Sequence, residues 1–329
     1  MLATAAVLQR VLCICLFCCA SLAFATETTL DAAQAQEWLK KIQSAAQKLN
    51  YSGTFVYQEG SQVRTSRITH VVEGRNEMQK LEMLDGKARE YVRNNDEIAC
   101  YVPESKTILI EKKATQDVFP AIFGPNLELV ANYQIKKAEV DRVAGFDCHT
   151  LILEPKDNLR YGYRLWVEKN TGLLLRVQTI NERNELVEQV SFTQLKIGDI
   201  ERNRVKSGFA DTSGWRIENA QANETPLPQW QVKWLPPGFR KTRELKRQVA
   251  DLQNGGRREV AQIVFSDGLA AISVFIEAAS APRTEGSRQQ GAMNIVSKKL
   301  GEFWLTVVGE VPMTALRQVA NTIEYKPVK

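Results

Sequence analysis

Two histidines and six cysteines make up the whole imidazole and thiol stock of this 329-residue chain. Cys148 and His149 are adjacent, which suggests a thiol nucleophile and its base. Neighbours on a strand point to opposite faces, so they are badly placed for that chemistry. His70, within Ile68-Thr69-His70-Val71, reads as a packed or half-exposed strand histidine. There is no HExxH, no cysteine ligand cluster and no G-x-S-x-G. The carboxylates fall in turns and on strand faces without a paired motif. These absences point away from catalysis and from a resident metal or cofactor, and toward binding. A secreted lipid hydrolase is the enzyme alternative, and it lacks a visible nucleophile constellation.

Two stretches carry binding chemistry. Phe119-Pro120-Ala121-Ile122-Phe123-Gly124-Pro125 sets aromatics among breakers, as a lid, a peptide-docking loop or a cover over one end of the core would. Arg240, Lys241, Arg243, Lys246 and Arg247 form a basic run that suits an anionic headgroup or an acidic peptide, or a plain solvated strand face.

The amino terminus sets the compartment. Arg10 is followed by an apolar stretch to Leu22 and by Ala23-Phe24-Ala25, the pattern of a secretory signal cut before Thr26. The stretch is shorter than the ~20 residues of a spanning helix. Export to an oxidising compartment without ATP excludes ATP-dependent chemistry. Removing residues 1–25 leaves 304 residues with 42 basic and 38 acidic side chains, a charge of +4 that is too weak to imply nucleic acid. Four cysteines leave with the signal. Cys100 and Cys148 remain, an even number in an oxidising compartment, so a disulfide is expected, with two separate buried thiols as the alternative.

The elements that must position these residues follow from periodicity. Asp31 to Leu49 reads as an amphipathic helix, with Trp38, Ile42, Ala45 and Leu49 at helical spacing and Asp31 and Gln34 as a capping pair. From Thr54 the period becomes two, and roughly ten or eleven short strands joined by tight turns run to Ile197, interrupted at Lys112–Asn132. So large an antiparallel sheet must curl over its apolar face, with the helix as plug. Residues 201–229, rich in Gly, Asn and Pro, read as a linker. Residues 230–329 read as a small α+β domain, an antiparallel sheet closed by a C-terminal helix that starts near Pro312 and carries Leu316, Val319, Ala320 and Ile323 on one face. The fold class is thus mainly β with an α+β second domain.

Several segments resemble the periplasmic RseB/MucB family in the right order. They are Tyr51-Ser52-Gly53-Thr54-Phe55-Val56-Tyr57, Tyr161-Gly162-Tyr163-Arg164-Leu165-Trp166-Val167, Trp234-Leu235-Pro236-Pro237-Gly238-Phe239, Phe265-Ser266-Asp267-Gly268-Leu269, and Val307 through Ile323. The resemblance implies a first domain (26–200) that is an unclosed β-barrel similar to lipoprotein carriers and senses lipid or lipoprotein. It implies a second domain (230–329) that binds an anti-sigma factor. The partner would be the periplasmic part of a single-span anti-sigma factor of the envelope stress response, shielded from proteolysis until lipopolysaccharide or lipoprotein acyl chains release it. A homo-oligomer is a further option. A periplasmic lipid or lipoprotein carrier is the rival reading. On this basis Phe119, Ile122 and Phe123 are expected at the lipid site. Trp230, Trp234, Phe239 and Arg240 are expected at the domain junction or partner contact, with ordinary core as the alternative for Trp234 and Phe239.

Overall fold

The computed structural model describes residues 27–112, 118–124, 128–220, 222–250, 257–279 and 283–327. The signal segment 1–25, its cleavage site and Pro125 lie outside the described residues.

The first sheet is built from β1 (Thr28–Thr29), β2 (Tyr51–Glu59), β3 (Gln62–Glu73), β4 (Asn76–Met83), β5 (Arg89–Asn94), β6 (Glu97–Val102), β7 (Thr107–Glu111), β8 (Tyr133–Val143), β9 (Phe146–Pro155), β10 (Gly162–Glu168), β11 (Leu174–Ile180), β12 (Leu186–Ile197) and β13 (Arg216–Ala220). The spatial order is β1-β8-β9-β10-β11-β12-β2-β3-β4-β5-β6-β7-β13, with free edges at β1 and β13, so the barrel is unclosed. Every pairing is antiparallel except β13 on β7. The sheet curls until β12 touches β8 across its hollow. Tight turns follow the sequence signals. Ala144 (φ 48) and Gly145 (φ 89) both take the left-handed backbone that a two-residue hairpin demands.

Helix α1 (Ala32–Lys48) plugs the hollow. Asp31 caps it by accepting from the Gln34 backbone N–H, and the Gln34 side chain accepts in return, a capping box worth about 1 kcal/mol. Leu39 and Ile42 are fully buried among Tyr51, Ile68, Leu151 and Leu165. The burial of this apolar face is what holds a helix of that length in place.

Residues 201–229 are folded chain rather than free linker. A 3-10 turn (Arg202–Val205) places Val205, with Ile200, on Val71 and Met78 of the convex face. Phe209 and Trp215 pack against Tyr101 and each other in tilted and edge-on ring contacts. β13 then joins the first sheet, and β14 (Ala222–Glu224) the second. Gly and Pro supply the turns here, while the buried apolar residues between them do the anchoring.

The second domain adds β15 (Trp230–Val232), β16 (Arg240–Ala250), β17 (Arg257–Ser266), β18 (Ala271–Ala278), β19 (Gly286–Gln290), β20 (Met293–Leu300), β21 (Phe303–Gly309), α2 (Met313–Asn321) and β22 (Ile323–Tyr325). Its antiparallel sheet has the order β14-β16-β17-β18-β21-β20-β19, and β15 and β22 form a separate ribbon. α2 lays Leu316, Val319 and Ala320 on Leu305 and Val307. Ile323, expected on the helix face, begins β22 instead.

The expected disulfide is a correction. Cys100 and Cys148 are free. Cys100 lies on β6 and Cys148 on β9, with β10, β11, β12, β2, β3, β4 and β5 between them in the sheet.

Candidate functional site

The two domains meet at the turn after β9. There Arg160 is fully buried and donates to Asp267 Oδ2 (2.8 Å), to the Pro237 carbonyl (2.7 Å) and to both oxygens of Asp157. Burial penalises the guanidinium charge, but hydrogen bonding by Asp157 and the charges of Asp157 and Asp267 overcome it, and the pKa is raised. Tyr133 and Phe239 offer ring faces to the same cation, at 5.6 and 5.9 Å. Asp267 is fixed in its turn by the backbone N–H groups of Leu269 and Ala270, which donate to Oδ1.

Three more links surround this pair. The Gly124 N–H donates to Gly268 O (2.8 Å), and Gln43 of α1 donates to Gly124 O (2.7 Å). Asn294 Nδ2 donates to Tyr161 Oη and to Val311 O. Glu188 of β12 accepts from Tyr57 Oη (2.8 Å) and from the Ala292 N–H (3.0 Å). Near Glu188 sits half-buried Glu310, just past β21. Burial first, and the Glu188 charge second, push its carboxyl up to about 7.

The aromatics expected at a lipid site are core. Phe119 and Phe123 are buried, and Ile122 packs against the same cluster. The Phe119 ring lies 5.0 Å from Phe192 and 5.4 Å from Phe55. They fill the curl beside α1. The sheet itself supplies an open apolar surface that periodicity did not flag. Ile68, Leu81, Tyr91, Cys100 and Leu109 are directly paired across β3 to β7, so they share the concave face. Ile68 is buried under the core, whereas Tyr91 and Leu109 at the far end are 38% and 39% exposed. The helix covers one end of this row and leaves the other open.

The residues expected at the junction divide. Phe239 is there, on Arg160, and Arg240 pairs with Glu128 on the rim at 2.6 Å. Trp230 is not. It is buried in the second domain's own cluster with Phe303 and Tyr325, each 4.9 Å away. Trp234 packs in that core too. Sequence reasoning missed Arg160, Asp267, Asn294, Glu188 and Glu310, whose partners lie up to 133 residues away. Only the Ser266-Asp267-Gly268 turn gave a signal.

Among the described residues no group of three or more His, Cys, Asp or Glu could hold a metal ion. No helix among them is long and apolar enough to cross a membrane. His149, with its pKa lowered by burial and by three nearby lysines, packs edge-on against Trp38 and has no thiolate beside it. Burial pushes the Cys148 thiol up to about 11.

Residues 34–223 match the MucB/RseB N-terminal domain, and residues 224–324 the MucB/RseB C-terminal domain. The sigma factor AlgU regulatory protein MucB of Pseudomonas aeruginosa is 32% identical over 89% of this chain and 92% of its own length. The sigma-E factor regulatory protein RseB of Haemophilus influenzae is 24% identical over 93% and 96%. A crystal structure of MucB in complex with MucA(peri) superimposes with a TM-score of 0.69 at 28% identity, covering 89% of this chain and all of that one. A crystal structure of MucB alone gives 0.65 at 29% identity, covering 90% and 99%.

Proposed function

The chain belongs to the MucB/RseB family, and from that premise we propose that it is an exported regulator of an envelope-stress sigma factor that acts by binding the periplasmic part of a membrane anti-sigma factor. The observation that carries this is full-length likeness, over both domains, to a protein solved in complex with MucA(peri).

In this reading the bound anti-sigma segment is shielded from proteolysis, and a lipid ends the protection. Lipopolysaccharide or a lipoprotein acyl chain meets the concave strip at Tyr91 and Leu109 and works inward, displacing the Phe119–Phe123 loop. That loop is hydrogen-bonded to the second domain through Gly124 and Gly268, so lipid entry and the domain junction are mechanically joined. A lipid shifts the balance only by its different affinity for the two arrangements. The occupied interior weighs against the carrier reading, because a carrier needs an open cavity for its cargo.

The test is a pull-down from solubilised envelopes with the tagged mature protein. A single-span anti-sigma factor is expected, lost when lipopolysaccharide is added. Recovery of lipoprotein or lipid alone would make the protein a carrier.

A further inference from the structure

The convex face of the first sheet holds a groove of ≈ 510 Å³ floored by β2, β3 and β12. It is separate from the junction and from the apolar strip, which lies on the opposite face. Ser52, Thr54, Arg67, Gln194, Lys196 and Arg204 line it. Its wall is the Arg202–Val205 turn, anchored by Val205 on Val71 and Met78, so the groove is formed in advance of any ligand.

Two of the three cations here are only loosely paired, and the third is without a partner carboxylate among the described residues. Arg67 reaches Glu82 only at 4.0 Å, and Lys196 reaches fully exposed Asp199 at 3.7 Å. Arg204 has no ion-pair partner among the described residues. Exposed pairs at such distances contribute ~1 kcal/mol or less. Below the rim, the buried hydroxyls of Ser52 and Thr69 share one hydrogen bond of 2.9 Å, which leaves a second O–H free to donate. Behind them in the same cross-strand row is buried Lys80, held by Glu82 at 3.3 Å. Cations gathered in a concavity focus positive potential, and arginine forks match oxyanions. The volume exceeds what a bare phosphate fills, and the hydroxyl and amide groups suit a sugar's hydroxyls.

We propose that this groove binds a phosphate oxyanion, free or carried by a sugar-sized solute, through Arg67, Lys196 and Arg204. The proposal is independent of the sigma-factor reading. Calorimetric titration of the mature protein with glucose 6-phosphate, inorganic phosphate and glucose tests it. Saturable binding of at least one phosphate is expected, with none for glucose, and a K196Q/R204Q variant of unchanged circular dichroism should bind at least tenfold more weakly. Equal affinity for both phosphates identifies the free ion as sufficient, and preference for the sugar phosphate identifies the larger ligand. A K298Q/R317Q variant, with the same charge change on the second domain, should titrate like the parent. The proposal is overturned if neither phosphate saturates by about 10 mM, or if the two double variants weaken binding equally.

Discussion

Arg160 and Asp267 form an ion pair at 2.8 Å with both side chains fully buried, and the pair crosses from the first domain to the second. It anchors the domain junction from the inside, and a break in it should loosen the whole contact.

The D267N variant keeps an oxygen for the Leu269 and Ala270 N–H groups but leaves the buried guanidinium without its cross-domain countercharge. It should destabilise the protein by about 2 kcal/mol in urea unfolding, because Arg160 loses one of its two carboxylate partners while Asp157 still holds it. R160M/D267N should lose less than the sum of its singles. Additive losses would mean the two residues act separately.

Glu310 makes stability depend on pH. Its folded pKa of about 7 lies above the ordinary 4.5, so the native state holds the proton more tightly than the unfolded chain. The penalty is absent below pH 4.5, grows as pH rises, and is complete above 7, at up to about 3 kcal/mol. E310Q should therefore melt higher than the parent at pH 8 and close to it at pH 4.5. A constant difference across that range would remove Glu310 as the source.

Phe123 and Leu109 should behave oppositely. F123A opens a cavity in the core beside α1 and should cost about 3–5 kcal/mol. L109S alters an exposed strip residue and should change stability by only about 0.5 kcal/mol while weakening binding of lipopolysaccharide in a fluorescence titration. Full lipid binding by L109S combined with Y91S would remove the strip from the proposed lipid path.

The two cysteines should alkylate without a reductant. In the native protein half-exposed Cys100 reacts and buried Cys148 does not. In denaturant both react, and intact mass shows two adducts. A denatured protein that takes up none would restore the disulfide.

The length of the apolar periods in the sequence determined the curled antiparallel sheet, the Asp31-capped helix and the α+β second domain, because alternation and helical spacing each record which face is buried. They also revealed that residues 119–123 are apolar and special. They did not say whether that loop lies open or fills the curl, since Phe119 packs on Phe55 and Phe192, which belong to strands far away in the chain. Composition misread residues 201–229 for a similar reason: glycines and prolines were visible, whereas the docking of Val205 and Phe209 on the convex face depends on a surface made by β3 to β6. The same holds for Arg160, Asp267, Glu188 and Glu310. Each looks like an ordinary turn or strand-face charge in the chain; only tertiary packing, by removing water and bringing remote partners close, turns the first three into contacts that join the domains and sets Glu310 beside the Glu188 charge.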